Sequence, residues 1–429
     1  MDFAALSHWI GNQSDAMVQL QADLTARPAI GPDNGGKGEW ERARFLEQYL
    51  AGHGIERIEH YDCPDDRVPE GTRPNLVATV PGQAEAPHIC VLTHLDVVPP
   101  GRRKEDGSYE GWKGDPFELR RVGDRIFGRG VTDNQQSIVS SVFAARALLE
   151  HGLQPAHDVR LLFVSDEETG SERGLGYLLD EHRELFSEDD LIIVPDAGNE
   201  DGSMVEVAEK SVLWVEFTVA GQQAHGSRPD RAVNAFRAAS RLVCRLDEQL
   251  HERYSARDEL FDPPVSTFEP TLHAANVPNV NTIPGQDVFC FDCRVLPDND
   301  LDDLLDMLRA AAAETDEALG TDTTFRIRTR MDAPPATPPD APVVRLLCNA
   351  VREVLDVEAR PMGVGGMTVA SLFRRAGLPV AAWMTAGGGE HEANESCPIA
   401  NMVNDARVFA RVFAKGISSR KHYDESGLG

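Results

Sequence analysis

Short apolar runs alternate with helical segments along this chain, and the alternation is interrupted once in the middle. The alternation occupies roughly the first 210 residues and returns after residue 340. Strand-like runs are found at residues 75–80, 88–92, 159–164 and 191–194. Because these runs are almost continuously apolar, they are typical of strands buried on both faces, as in an α/β sheet covered by helices.

The interruption has a pattern of its own. Residues 212–331 read as strand, helix, two strands, helix and strand, which is the β-α-β-β-α-β order of a split-βαβ, ferredoxin-like domain. A Pro-rich stretch at residues 333–342 separates it from the returning α/β pattern. We therefore predict an α/β, mixed-sheet domain built from residues 1–211 and 332–429, with an α+β domain inserted at 212–331.

The charge balance excludes two classes of partner. The chain has 42 Lys+Arg against 70 Asp+Glu, a net charge of −28 at pH 7. Nucleic acids and anionic membranes both require a basic surface, so neither is expected as a partner. Only six of the basic residues are lysines, a composition typical of cytoplasmic proteins from high-salt organisms. A GC-rich genome that encodes Arg in place of Lys is the alternative explanation.

The cysteines and the first residues indicate the cytoplasm. Seven scattered cysteines do not form a disulfide framework. Cys290 and Cys293 have metal-site spacing, but on a strand residues three apart point to opposite faces. Residues 1–21 predict an amphipathic helix without the features of a signal peptide. No run of about 18 apolar residues occurs, so no transmembrane helix is predicted.

Polar side chains that could carry chemistry come directly after the apolar runs of the α/β part. In sheets of this kind, ligands bind at the carboxyl ends of the strands. The candidate segments are 93–96 with His94 and Asp96, 128–134 with Asp133, 165–170 with Glu167 and Glu168, 195–198 with Asp196, and 390–395 with His391.

Taken singly, each of these segments has an ordinary structural explanation. His94 could be a satisfied histidine at a strand end, Asp133 could cap the helix after it, and the segment 165–170 could be an exposed acidic turn. Taken together, they offer two imidazoles and three carboxylates without a thiolate. That donor set favours a two-metal hydrolytic site for Zn²⁺, or for Co²⁺ or Mn²⁺. A neighbouring glutamate could then serve as general base.

The ordered segments 93–96, 128–133, 166–170 and 391–395 resemble those of the cocatalytic metallopeptidase family. This family includes acetylornithine deacetylase, succinyl-diaminopimelate desuccinylase, aminoacylase and glutamate carboxypeptidases. The resemblance implies two divalent metal ions, with zinc favoured. His94 and Asp196 would bind one metal, Glu168 and His391 would bind the other, and Asp133 would bridge them.

The resemblance also implies roles for residues that do not bind metal. Glu167 would be the general base, and Asp96 would orient the imidazole of His94. In the inserted domain, His225 matches a histidine that polarises the scissile carbonyl. Asn281 and Arg294 match residues that hold a substrate carboxylate.

Two departures from the family pattern concern the substrate and a helix start. Gln135 and Gln136 stand where the family often has Lys-Gly, so the lysine at the start of that helix is missing. Gly365 and Gly366 are followed by Met-Thr where the family often has Thr-Asp. That loop lines the substrate pocket in the family, so the substrate cannot be copied from a named member.

These observations lead to a functional hypothesis with two alternatives. We expect a zinc-dependent amidohydrolase that acts on an N-acyl amino acid, in the manner of a deacetylase or desuccinylase of amino-acid metabolism. A carboxypeptidase or dipeptidase acting on short peptides is the alternative within the family. A non-catalytic amino-acid-binding member is the alternative outside enzymes. The resemblance implies a homodimer formed through the inserted domain.

Overall fold

The computed structural model describes residues 3–415, which divide into two compact units. Unit 1 includes residues 3–207, 337–361 and 372–415, and unit 2 includes residues 208–336 and 362–371. The ten α-helices of the described chain are α1 (Phe3–Gly11), α2 (Ser14–Thr25), α3 (Trp40–Gly52), α4 (Gln135–Glu150), α5 (Leu175–Glu181), α6 (Ala235–Arg253), α7 (Leu301–Leu319), α8 (Pro342–Leu355), α9 (Ala370–Arg375) and α10 (Ile399–Lys415).

Twelve strands form the two larger sheets. They are β1 (Arg57–His60), β2 (Leu76–Val80), β3 (Ile89–His94), β4 (Val159–Val164), β5 (Leu191–Asn199), β6 (Met204–Glu209), β7 (Ser211–Ala220), β8 (Thr267–His273), β9 (Gln286–Val295), β10 (Asp322–Met331), β11 (Arg360–Val364) and β12 (Val380–Thr385). Shorter pairings join Cys63–Pro64 to Thr72–Arg73, Ala224–His225 to Thr282–Ile283, and Arg125–Phe127 to both Arg120–Val122 and Ser396–Pro398.

The eight-stranded sheet has a parallel centre. Its order is β1-β2-β4-β3-β5-β12-β6-β11. The neighbours β4, β3, β5 and β12 run parallel, whereas β2 is antiparallel to β4 and β6 is antiparallel to β12. The strands β3 and β12 are buried along their whole length, as the continuous apolar runs predict. The carboxyl ends of the four parallel strands therefore lie along one edge.

Helix packing in unit 1 depends on small side chains. α4 is rich in Ser and Ala and is buried from Gln135 to Leu148. Residues without long side chains let α10 and the strands β3 and β4 approach it closely. This packing fixes the start of α4. Asp133 lies two positions before the helix, so its backbone is fixed as well.

Unit 2 is an antiparallel sheet of order β8-β9-β7-β10 packed with two amphipathic helices. The alternating residues Leu213, Val215, Phe217 and Val219 of β7 join the apolar stripes of α6 and α7 in one core. Asn234 caps α6 by accepting the Arg237 N–H, and the left-handed Gly320 ends α7. The predicted mixed α/β fold with an inserted split-βαβ domain is confirmed.

Three details differ from the sequence-based prediction. The helix predicted at residues 1–21 is two helices, α1 and α2, and residues 1 and 2 lie outside the described part. Residues 362–371, which we predicted within the α/β domain, belong to unit 2. There the Lys210 N–H donates to the Val364 carbonyl, and Thr368 Oγ1 donates to Glu209. Hydrogen bonds across so many residues leave no local signal in the sequence.

The third difference concerns β5, which is longer than the predicted run 191–194. It continues to Asn199 because β12 still pairs with it there, Met384 opposite Gly198. A Cβ on Gly198 would lie 1.8 Å from the Met384 carbonyl oxygen, so only glycine permits this approach. Asp196 consequently lies within a strand and not after one.

Within residues 3–415, no helix combines the length and the apolar composition needed to cross a bilayer.

Candidate metal centre

Residues from several separate segments of unit 1 meet at the carboxyl edge of the parallel strands. His94 is the last residue of β3, and Glu167 and Glu168 form a single helical turn directly after β4. Asp196 lies in β5, and Asp133 precedes α4. His391 comes from the loop after β12. The structure thus brings together all five predicted metal ligands.

Asp133 lies between the two imidazoles. Its Oδ1 is 2.8 Å from His94 Nε2, and its Oδ2 is 3.0 Å from His391 Nε2. Each carboxylate oxygen therefore faces a different ring. This is the arrangement that a carboxylate needs in order to bridge two cations.

Two further carboxylates lie near the same two ring nitrogens. Asp196 Oδ1 is 3.5 Å from His94 Nε2, and Glu168 Oε2 is 3.0 Å from His391 Nε2. Potential ligand atoms of His94, Asp133 and Glu168 lie within 4.8 Å of one another, and so do those of His94, Glu167 and Asp196. Glu167 thus lies beside the ligands, where the prediction put the general base.

Asp96 contacts both His94 and the turn of the two glutamates. The Asp96 carbonyl oxygen is 3.1 Å from His94 Nδ1, and the Asp96 carboxylate, which we expected to orient this ring, is 3.4 Å from the same nitrogen. The carboxylate also accepts the backbone N–H groups of Glu167 and Glu168, at 3.1 and 3.0 Å. Asp96 therefore fixes both the imidazole and the turn that carries the two glutamates.

The electrostatics of the cluster fit cations. Burial raises the pKa of Glu167 well above its ordinary value, and the charges of Asp196 and Asp133 raise it further. Burial also raises the pKa of Glu168. The surplus of buried negative charge favours any positive charge that can enter the cluster.

The imidazoles respond to the same surplus. Hydrogen bonds to Asp133 and Glu168 raise the pKa of His391 to about 10. Burial alone would lower the pKa of His94, but its carboxylate partners, Asp133 and Asp196, hold it well above the ordinary value. All donor atoms are imidazole nitrogens or carboxylate oxygens, which suits Zn²⁺, Co²⁺ or Mn²⁺ at a catalytic site better than a Cys-rich structural zinc site.

Asn134 is a member of the site that the sequence-based prediction missed. Its Nδ2 donates to Asp196 Oδ1 at 2.7 Å and to the Pro195 carbonyl at 2.8 Å. It thereby ties the segment of Asp133 to the strand of Asp196. Its position next to Asp133 was the only signal for this role in the sequence.

The remaining predicted residues belong to unit 2. His225 lies in the short strand Ala224–His225, which pairs with Thr282–Ile283, and Gly226 N–H donates to the Asn281 carbonyl at 2.6 Å. The Ser227 N–H, which can only donate, lies 3.2 Å from His225 Nδ1. Nδ1 is therefore the acceptor, and a neutral His225 carries its proton on the exposed Nε2.

Arg294 is already paired. Its Nε and Nη2 donate to the carboxylate of Asp292 at 2.7 and 3.0 Å, and its Nη1 donates to the Gly365 carbonyl at 3.1 Å. A Cβ on Gly366 would lie 3.9 Å from Nη1, so both predicted glycines adjoin this guanidinium. Asp292 was not among the predicted substrate-binding residues. Its carboxylate occupies the side of the Arg294 guanidinium that we expected to bind the substrate.

Comparison with known proteins identifies relatives across most of the chain. The model of "Peptidase family M20/M25/M40" matches residues 90–415. An uncharacterized metallohydrolase of Methanocaldococcus jannaschii is 35% identical over 412 residues, covering 92% of this chain and 98% of that protein. A succinyl-diaminopimelate desuccinylase of Gluconacetobacter diazotrophicus is 28% identical over 402 residues, covering 92% and 96%.

A solved structure shows the same fold. Human carnosine dipeptidase 1 superposes with a TM-score of 0.69 at 16% identity, over 97% of this chain and 98% of that chain. At this identity the likeness concerns the fold alone.

Proposed function

Because the chain belongs to peptidase family M20/M25/M40 and is a metal-dependent hydrolase, we propose that it cleaves the amide bond of an N-acyl amino acid. The proposal rests on the Asp133 carboxylate, one oxygen of which faces His94 and the other His391. The carboxylate of Glu167 lies beside the same cluster. The name of the desuccinylase relative supports an acyl substrate. Cleavage of short peptides, as by a dipeptidase, is the second candidate, and the dipeptidase fold likeness allows it.

We propose two divalent cations, with zinc favoured over cobalt or manganese. His94 and Asp196 would hold one, Glu168 and His391 the other, and Asp133 both. When bound, such a pair supplies Lewis acidity that acidifies a water molecule and polarises the amide carbonyl.

We propose that Glu167 carries out the proton transfers. Its carboxylate takes a proton from the attacking water and delivers it to the nitrogen of the breaking C–N bond. Burial and neighbouring carboxylates raise its pKa well above the ordinary value and so favour its protonated form, whereas bound cations would favour the ionised form. A group poised in this way can both accept and donate the proton.

Residues of unit 2 are assigned to the substrate. The Nε2–H of His225 would donate to the oxygen of the scissile carbonyl as it gains charge. Arg294 would bind the substrate carboxylate through the donors that Asp292 leaves available, and Asn281 would assist. Gly365 and Gly366 would keep the surroundings of the guanidinium open.

Arg294→Ala should raise KM by roughly 10- to 100-fold for substrates with a free carboxylate, while kcat changes little. The reason is the loss of a charge-assisted hydrogen bond, worth roughly 1.5–3 kcal/mol. Steady-state kinetics on an N-acyl amino acid and on its carboxamide analogue measure the effect, which should be absent for the carboxamide.

Arg326→Ala is the matched control for this prediction. Arg326 is on the same sheet and also pairs with a carboxylate, Glu216, at 3.0 Å. An equal rise of KM for the acid and the carboxamide in Arg294→Ala would contradict carboxylate recognition.

We also propose a homodimer formed through unit 2. In support, β8 is an edge strand of its sheet, and the partly exposed side chains of Phe236 and Leu272 line an apolar groove of about 360 Å³ beside it. An unpaired edge next to exposed apolar surface is a common site of self-association.

Light scattering should therefore give twice the chain mass for the wild type and a single chain mass for a variant with Phe236→Glu and Leu272→Glu. Val122→Glu, which changes an exposed apolar residue of unit 1, should leave the mass unchanged. A monomeric wild type would contradict the dimer.

The experiment that tests the function is a substrate panel on purified protein supplied with Zn²⁺, Co²⁺ or Mn²⁺. Release of free amine is compared for N-acetylornithine, N-succinyl-diaminopimelate and simple dipeptides. Running the panel at low and high salt also tests the proposal that the net charge of −28 is an adaptation to high salt. Cleavage of dipeptides alone would favour the second candidate.

A further inference from the structure

A buried glutamate outside the proposed ligand set organises the loop that carries Asp133. Glu395 is only 2% exposed. Its Oε2 accepts the Gly130 N–H at 2.9 Å, and its Oε1 accepts the N–H groups of Thr132 and Asp133 at 2.9 and 3.1 Å. Three donors of one loop thus converge on a single carboxylate.

The fourth donor to Glu395 is Arg129, which links this loop to the loop of His391. Arg129 Nη1 donates to Glu395 Oε2 at 2.8 Å, and both side chains are nearly inaccessible to solvent. Arg129 Nη2 lies 3.3 Å from the His391 carbonyl and 3.4 Å from the Glu392 carbonyl. The ion pair therefore contacts both the loop of Asp133 and the loop of His391.

The backbones of both loops are unusual. His391 has a φ of 64°, in the left-handed region that non-glycine residues rarely adopt. Gly130 has a φ of 85°, which glycine adopts freely, and a Cβ there would lie 2.6 Å from a Val97 methyl group. Hydrogen bonds between the two loops, through Arg129 and Glu395, help to offset the cost of the left-handed His391 backbone.

We propose that Glu395 and Arg129 are positioning residues that set the distance between Asp133 and His391. They would thereby set the affinity for the metal ion that Glu168 and His391 hold. This inference rests on the proposed metal pair. It assigns to a buried ion pair a part in metal binding, although neither side chain is itself a proposed ligand.

Glu395→Gln tests the proposal with little change of volume. The amide places an NH₂ group against backbone N–H donors, so at least one of the four hydrogen bonds is lost. Titration of metal-free protein with Zn²⁺ should show two equivalents bound by the wild type. In the variant, the affinity for one equivalent should fall by about 10- to 100-fold, as is typical for residues that support a ligand.

The kinetics should separate positioning from folding. At limiting Zn²⁺ we expect kcat to fall with occupancy, KM for the substrate to stay constant, and excess Zn²⁺ to restore most of kcat. Arg129→Lys is the second variant: it keeps a positive charge beside Glu395 but shortens the reach to the two carbonyls, so the same equivalent should weaken by a smaller factor.

Glu206→Gln provides the matched control. Glu206 forms another buried ion pair of unit 1, with Arg374 at 2.7 Å, and it is not among the proposed ligands. We expect it to lower the melting temperature without changing Zn²⁺ affinity. If Glu395→Gln behaves in the same way, the positioning role is wrong, whereas a wild type that binds no Zn²⁺ would overturn the proposed function itself.

Discussion

Replacing Glu167 with Gln should lower kcat by about 10²–10⁴-fold, the range that general acid–base catalysis contributes. The amide has the size of the carboxylate but cannot take a proton from water. The five proposed ligands keep their side chains, so the metal content measured by elemental analysis should remain two ions per chain. Rates and metal content must be measured on the same preparation.

Glu172→Gln serves as the control for this variant. Glu172 lies in the same loop region after β4, but its side chain is 84% exposed. Its replacement should leave both kcat and metal content unchanged. Turnover retained in Glu167→Gln would remove Glu167 from the base role, and loss of metal would show that it is a ligand.

Replacing Asp133 with Asn should strongly weaken binding of the metal pair. The two oxygens of the Asp133 carboxylate each face one imidazole, whereas an Asn side chain has only one oxygen. One of the two cations would therefore lose the ligand that both share. We expect the affinity for at least one equivalent to fall by more than the roughly 10- to 100-fold typical of supporting residues, and turnover to fall with it. Calorimetric titration with Zn²⁺ gives the affinities.

Thermal unfolding provides a second measurement for Asp133→Asn. A ligand present at a free concentration of about 100 times its Kd stabilises the folded protein by about 2.7 kcal/mol. Zn²⁺ should therefore raise the melting temperature of the wild type more than that of the variant. Asp190→Asn is the control, because Asp190 is buried just before β5 and accepts the His88 N–H, remote in sequence from Asp133. Equal zinc-induced shifts in wild type and Asp133→Asn would contradict the bridging role.

Which residues meet at the candidate site was easier to predict from the sequence than their hydrogen-bonded surroundings, because the order of parallel strands alone brings their ends together. Continuous apolar runs identified β3, β4 and β5, and parallel strands necessarily place the residues after them at one edge. The identity of the residues there supplied the chemistry. Those two facts locate His94, Glu167 and Glu168 without any knowledge of tertiary contacts.

The features that escaped prediction depend on hydrogen bonds between distant segments. Asp96 could be assigned to His94 by proximity in sequence, but its bonds to the turn of Glu167 join residues about seventy positions apart. The pairing of Asp292 with Arg294 is local, yet a strand alone does not tell whether an arginine faces a neighbour or a ligand. Glu395 lies in a segment that the sequence singled out, but only the fold shows the three N–H groups that meet it.

We propose that amide hydrolysis by this protein depends on two metal ions held around Asp133. The most direct measurement is the rate of amine release from an N-acyl amino acid as Zn²⁺ is added stepwise to metal-free protein. The rate should be negligible at the start and should reach its plateau at two equivalents per chain. Full activity without added metal, or a plateau reached at one equivalent, would contradict it.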